Sequence, residues 1–322
     1  MNRTLSIILR RTVSLLITLS VMSLIIFLLV EIMPGDVAQM ILGQSATEEA
    51  VSALREARGL NDPVMERYFR WVGGVLTGDL GESIYMKGVS INSILWRRVG
   101  HSLVLALSAF ILFVPLSIIL GVLAGVKENK PTDSIISFLG LATMALPEFV
   151  SGVFLITIFG VQLNWFPIVS IIPIGESLFN NLEILFLPAL SITFVMFGYV
   201  SRMQRSSMIQ VMNSDYIRAA ILKGMNRKYV IFRHALKNAL LPTITIIGMN
   251  MGWLFGGLVV VETLFGFPGM GSLLMTAIKT RDVPLIEACV LLITVIFSLS
   301  TMITDVLYSY LNPRVRFQGG QR

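Results

Sequence analysis

The sequence predicts an all-α membrane protein with six transmembrane helices and a folded extracytoplasmic subdomain between the first two. Three observations carry this. Of the 322 residues, 55% are hydrophobic and only 14% are charged, a balance foreign to water-soluble domains of this length. The apolar residues gather into six long stretches, each near the roughly 20 residues that cross a hydrocarbon core as helix. The 25 Lys and Arg residues fall unevenly among the connecting segments. Helices are required because a span must satisfy its own backbone polar groups, and a barrel would show short alternating segments instead. The same composition excludes intrinsic disorder, and a single cysteine, Cys289, excludes a disulfide-stapled scaffold.

The first stretch, residues 12–30, is free of charge and comes after Arg3, Arg10 and Arg11. A cleaved signal peptide is the alternative. This stretch is long, however, and runs into Glu31 and Met33-Pro34-Gly35-Asp36 without a small-residue cleavage site, so it is expected to remain as an anchor. The other spans are expected at 99–126, 134–160, 184–201, 243–261 and 283–304.

An even number of spans places both termini on one side, and the charges say which. The N-terminal tail, the turn near Lys127 and Lys130, the segment 202–237 and the C-terminal tail together hold 16 of the 25 cations. The loop 160–183 holds none, and the loop before the last span holds Lys279 and Arg281. The seven in segment 31–98 count least, because loops above about 60 residues escape the positive-inside rule. Both termini are therefore expected in the cytoplasm. The resulting division is 1–30 for the N-terminus and first span, 31–98 for the subdomain, 99–308 for a five-helix core containing the cytoplasmic segment 202–242, and 309–322 for the tail.

Segment 31–98 carries turn and cap signals of its own. Thr47 precedes a helical run closed by Gly59, Asp62-Pro63 opens another through Trp71, and Gly73-Gly74 and Gly78-Asp79-Leu80-Gly81 punctuate the residues beyond it. The segment either packs on the helices as a small subdomain or offers a docking surface to an external partner. Segment 202–242 holds eight cations against one acid, Asp215. Its middle reads as a short helix: Ser214 caps, Asp215 suits the N-terminus, Lys223 suits the last turn and Gly224 ends it with positive φ. Ile217, Ala220 and Ile221 form a small apolar face at helical spacing. A second amphipathic run, 227–241, returns to Pro242 and the membrane.

Here a resemblance enters. Asp215-Tyr216-Ile217-Arg218-Ala219-Ala220, Gly224 and Pro242 resemble the coupling motif E-A-A-x-x-x-G of ABC-type importer permeases. Arg218 stands where the motif has an acid, and Pro242 lies 18 residues after the glycine rather than 13. Both departures are similar to the dipeptide, oligopeptide and nickel permease branch. So are Arg10-Arg11, Met33-Pro34-Gly35-Asp36, Gly78-Asp79-Leu80-Gly81, the run from Arg233-His234 to Pro242, Glu262-Thr263-Leu264-Phe265, Pro268-Gly269-Met270-Gly271 and Asn312-Pro313-Arg314. The resemblance covers the chain nearly end to end.

It implies a permease of the type I ABC importer kind, the first of two such subunits, in a bacterial or archaeal cytoplasmic (inner) membrane. Its partners would be a second, homologous permease in a heterodimer, two cytoplasmic ABC ATPases and an extracytoplasmic solute-binding protein. Asp215, Tyr216, Ile217, Arg218, Ala219, Ala220 and Gly224 would be the ATPase-coupling positions. ATP and Mg would be bound by the ATPases, with no cofactor on this chain. Di- and oligopeptides are the expected cargo, with nickel or oligosaccharides as alternatives. Read without the resemblance, the basic segment is a solvated loop held inside by topology. A DNA-binding helix-turn-helix is disfavoured because the segment is tethered at both ends to spans, so no nucleic acid is expected.

The rest of the chain supports a non-enzymatic role. No Gly-Lys dipeptide occurs, so a phosphate-cradling P-loop is absent, and neither H-E-x-x-H nor G-x-S-x-G appears. Glu148 and Asp305 are intramembrane acids, but nothing in their spacing makes a dyad. A free-standing secondary carrier would need its own ion-binding carboxylates and internal repeats, and no repeat is apparent. Glu148 comes directly after Pro147 inside an apolar stretch, where a carboxylate costs on the order of 2.5–3.5 kcal/mol. It either faces the solute pathway or a partner helix, or marks a Pro-kinked break. Gly248, Gly252 and Gly256 recur every four residues and make a smooth face for close helix packing, within this chain or against a partner. Gly121 and Gly125 form a lesser version, and Asn250 is a second polar candidate for the pathway.

Overall fold

The computed structural model describes residues 3–32, 37–42, 46–57, 59–173 and 176–311. Met33-Pro34-Gly35-Asp36, Asn312-Pro313-Arg314 and most of the expected tail lie outside the described residues. In chain order the helices are α1 (Arg3–Ile32), α2 (Val37–Leu42), α3 (Glu48–Ala57), α4 (Val64–Thr77), α5 (Ile91–Val126), α6 (Pro131–Ala145) and α7 (Glu148–Leu155). They continue with α8 (Phe186–Met212), α9 (Asp215–Leu222), α10 (Arg227–Tyr229), α11 (Leu236–Phe265), α12 (Met270–Thr280) and α13 (Val283–Leu311). A π-helix, Ile156–Gln162, extends α7, and another, Val230–Ala235, joins α10 to α11. Among the described residues the only extended pairing is an isolated antiparallel bridge, Glu82 to Ser90.

Five helical runs are each long and apolar enough to cross a membrane: Leu9–Ile32, Ile91–Val126, Leu182–Met212, Arg227–Gly252 and Val283–Thr304. Two further pairs qualify only when joined, Pro131–Ala145 with Glu148–Gln162 and Gly256–Phe265 with Met270–Thr280. The apolar stretch expected as a span over 134–160 is broken at the position where the sequence offers a Pro-kinked break, and the first pair bends by 108°. The cause is Pro147. It holds Leu146 extended at φ −87° and ψ 127° and removes a backbone donor, so α6 stops and α7 starts on a new axis. The loop expected before the last span contains α12, a helix of 11 residues.

The chain forms two compact units, residues 1–102 with 269–298, and 103–268 with 299–322. In the first, Ile26 and Val30 of α1 pack with Ile91, Leu95 and Val99 of α5, with Met270, Leu273 and Ala277 of α12, and with Leu285, Ile286 and Cys289 of α13. α4 leans on α1: Phe27 meets the rings of Tyr68 and Trp71 at 5.4 and 6.0 Å. The Tyr68 hydroxyl lies 2.9 Å from Ser23 Oγ, and Arg67 pairs with Glu31. Asp282, fully buried before α13, accepts hydrogen bonds from Ser83 Oγ at 2.5 Å and the Tyr85 amide at 3.1 Å. That single carboxylate ties the bridged loop 82–90 to the α12–α13 turn.

The second unit is built around α8. In its span-length window 78% of the residues are buried, against 22–33% for the other four long runs. Small residues allow that enclosure. A Cβ added at Gly121 of α5 would sit 2.7 Å from both Gln204 Cβ and the Ser201 carbonyl, and one at Gly125 would sit 2.6 Å from Met208 Cβ. At Gly140 of α6 it would meet Ser201 Oγ at 3.4 Å and Gly198 Cα at 3.7 Å. The Gly121 and Gly125 pair visible in the sequence therefore packs within the chain, α5 on α8.

The near end of α8 is held by charge. Asp133, 3% exposed on α6, receives Arg205 Nε at 2.5 Å and Nη2 at 2.7 Å. The Asn129 amide and Ser137 Oγ donate to the same carboxylate at 3.0 and 3.2 Å. A planar guanidinium matches both oxygens at once, which a lysine cannot do. Asp133→Asn and Arg205→Lys are each expected to lower stability by about 1.5–3 kcal/mol. Thermal unfolding in detergent measures this, and the double variant should lose little more than either single change.

Candidate coupling and pathway sites

α8 extends through Met212, so residues 202–212, the opening of the expected cytoplasmic segment, form its last three turns. The chain then turns into α9. Ser214 occupies the cap position with extended backbone, φ −76° and ψ 152°, as expected from sequence. Its hydroxyl does not cap α9, however: it donates back to the Val211 carbonyl at 2.5 Å. Asp215 is the first helical residue, and Gly224 closes the segment at φ +79°. There the Gly224 amide donates to Ile221 O at 2.9 Å and the Met225 amide to Ala220 O at 3.3 Å. A side chain at Gly224 would meet nothing within 4 Å, so glycine is needed for backbone freedom and not for room.

One side chain anchors α9. Ile217 is fully buried among Met208, Val230, Ile231, Ala235 and Ala239, with Ala220 partly covered beside it. The third member of the expected apolar face, Ile221, remains 44% exposed, because a single isoleucine fills the contact. Tyr216 is exposed and its hydroxyl accepts from Asn238 Nδ2 at 2.8 Å. Asp215, Arg218, Ala219, Leu222, Lys223 and Gly224 are also exposed. The short helix thus keeps Ile217 in the core, with Ala220 at its edge, and presents the rest.

The pathway candidates separate. Glu148 sits in the first turn of α7, beyond the Pro147 bend, with its Oε2 buried and without a hydrogen-bond partner among the described residues. Its carbonyl accepts from Ser151 Oγ at 2.8 Å and Ser191 Oγ at 3.2 Å. Its carboxylate lies against Gly257: a Cβ there would be 2.8 Å from Oε2 and 2.9 Å from Oε1. The sequence does not single out Gly257, because the four-residue rhythm points to its neighbour Gly256.

The three glycines expected to form a packing face meet different surroundings. Gly248 packs on α13, where a Cβ would meet Thr304 Cγ2 at 2.6 Å and where Thr304 Oγ1 donates to its carbonyl at 2.9 Å. Gly252 is buried, while Gly256 is exposed with nothing within 4 Å. A helix advances 400° in four residues, so positions in that rhythm drift around the axis and meet different neighbours. Asn250 Nδ2 donates to the Ile246 carbonyl of its own helix at 2.8 Å. Two further buried acids, not among the sequence candidates, are Glu262 on α11 and Glu287 on α13. Glu287 carries the signal that marks Glu148, a carboxylate inside an apolar run. Among the described residues no three His, Cys, Asp or Glu side chains are grouped to hold a metal.

Several apolar helices around a buried central one, with a short helix presented beyond its end, define a multi-pass helical membrane protein. Residues 117–317 match the inner membrane component of binding-protein-dependent transport systems, and residues 4–87 match the N-terminal part of such components. The chain belongs to this family, and it is an ABC importer permease, a membrane component and not an enzyme. It is similar to a probable peptide ABC transporter permease protein of Sinorhizobium fredii, 34% identical over 96% of this chain and 99% of that one. A putative peptide transport system permease protein of Brucella abortus is 33% identical over 97% and 99%. A glutathione transport system permease protein of Shigella flexneri is 31% identical over the same shares.

Gly257→Val is expected to push the Glu148 carboxylate aside at an overpacking cost of about 1–3 kcal/mol. Uptake by membrane vesicles should fall while the variant still inserts. Gly256→Val, facing open space, serves as the matched control and should insert with the parent's thermal stability.

Proposed function

We propose that this chain lines one half of the solute pathway of an ATP-driven importer, pairing as a heterodimer with a second, homologous permease. Two cytoplasmic ABC ATPases bind ATP and Mg and perform hydrolysis, since the sequence of this chain has no P-loop. An extracytoplasmic solute-binding protein delivers the cargo. Six spans in a bacterial or archaeal cytoplasmic (inner) membrane, with both termini cytoplasmic, agree with the distribution of Lys and Arg. The division into 1–30, 31–98, 99–308 and 309–322 accords with the same topology. Peptides are the cargo class, because relatives over nearly the whole chain bear peptide and glutathione names, and glutathione is itself a tripeptide.

The observation that carries this reading is α9, an exposed helix anchored by Ile217 and closed by Gly224. Asp215, Tyr216, Arg218, Ala219, Ala220 and Gly224 form the coupling surface, on which the small Ala219 lets an ATPase groove approach the helix backbone. ATP-driven closure of the ATPases moves α9, and the spans alternate between outward and inward access. Glu148 meets amino or amide groups of the passing peptide, with Gly248, Asn250, Gly252 and Gly256 on the helix opposite.

Ala219 separates coupling from folding, because it is exposed while Ala220 touches the core. Ala219→Asp is expected to abolish uptake and binding-protein-stimulated ATPase activity in the reconstituted complex, with an unchanged unfolding midpoint. Parental coupling in that variant would remove α9 from the mechanism. Glu148→Gln should change the pH dependence of uptake, and an unaltered rate and pH profile would remove Glu148 from the pathway.

A further inference from the structure

All of residues 31–98 are expected outside the membrane from sequence, yet α4 has the surface of a helix that lies in it. Three flanks are distinguishable at 3.6 residues per turn. Tyr68 and Trp71 face α1, where they meet Phe27 and Ser23. Glu66, Arg70 and Thr77 form a polar flank, on which Arg70 pairs with Asp62. Between them on the far side run Met65, Phe69 and Leu76, which are 54%, 63% and 81% exposed. An apolar stripe of that exposure needs a covering.

The contacts with α1 indicate what covers it. α1 is a membrane-length helix over Leu9–Ile32, with Glu31 as the charged residue at its end. Phe27 and Ser23 lie roughly 7.5 and 13.5 Å back from Ile32 at 1.5 Å per residue. Side chains reaching from α4 to those depths hold its axis at the level where acyl chains give way to headgroups. α1 itself exposes Leu28, Leu29 and Ile32 there, so the stripe continues an apolar surface already facing lipid. Tyr68 and Trp71, with exposed Trp96 on α5, are the residue types that collect at this interface.

We propose that α4 is an interfacial helix, with Met65, Phe69 and Leu76 immersed in the acyl chains of the leaflet at the Ile32 end of α1, and Glu66 and Arg70 turned to water. Helices of this kind lie about 5–10 Å into the headgroup–acyl boundary. The ligand is the bilayer, and the function is to hold the bridged loop 82–90 at a fixed height above it. Only the naming of this leaflet as the outer one rests on the topology proposed above.

Cysteines placed singly at Phe69, Leu76 and Glu66 test it, since native Cys289 is fully buried and escapes labelling. Each variant is labelled with an environment-sensitive fluorophore in membrane vesicles from the native host, so that whatever the chain assembles with is present. Phe69→Cys and Leu76→Cys labels should emit to the blue of Glu66→Cys. They should be quenched by phospholipid carrying a nitroxide at a shallow acyl carbon and not by aqueous iodide. Iodide quenching equal to that of Glu66→Cys would overturn the proposal in favour of water. Protection from both quenchers would overturn it in favour of a protein cover. If iodide added outside sealed right-side-out vesicles fails to quench the Glu66→Cys label while iodide loaded inside succeeds, the topology fails and the lipid contact of α4 stands.

Discussion

Enclosing α8 is the constraint on which the second unit depends. A helix surrounded by other helices in lipid gains nothing from expelling water, so its neighbours must be held by close contact and by the few polar bonds available. Both devices are present. Glycines of α5 and α6 bring backbone within reach of Ser201, Gln204 and Gly198, and the Asp133–Arg205 pair fastens the end where the chain turns toward α9. A hydroxyl does similar work near the other end, where Ser191 donates to the Glu148 carbonyl of α7. Remove the small residues and α8 would be displaced from every partner together.

The break at Pro147 then acquires a purpose. A continuous helix over 134–160 would carry Glu148 along the axis of α6. The bend instead starts α7 afresh, turning the carboxylate toward Gly257 of α11. The cost of a carboxylate at that place is met by solvation only if the site is open to water or to solute. The same geometry explains why Gly257, which lies outside the four-residue glycine rhythm, must lack a side chain.

Much of this is legible in the residues, and the remainder is not for identifiable reasons. The positive φ at Gly224 is signalled by a short helical pattern that ends at Lys223 immediately before it, a local feature. The burial of Ile217 accords with helical spacing, but the exposure of Ile221 depends on how much room residues 230–239 leave, which spacing does not carry. Pro147 raises a kinked break as one reading, yet the size of the bend is set by the packing of α7 and not by the residues around the proline. The Asp133–Arg205 pair joins residues 72 apart, and nothing in either neighbourhood announces the other. The glycine rhythm of α11 shows which residues are small but not which face a neighbour, because helix rotation is set by the surrounding packing.

Met208 occupies two contacts at once. Its side chain belongs to the cluster that grips Ile217, and its Cβ is the atom that a side chain at Gly125 would strike. The short helix and both spans therefore share one contact. On the coupling role proposed for α9, any displacement of that helix reaches α8 and α5 through a single unbranched side chain, whose own flexibility limits how much of the movement is passed on.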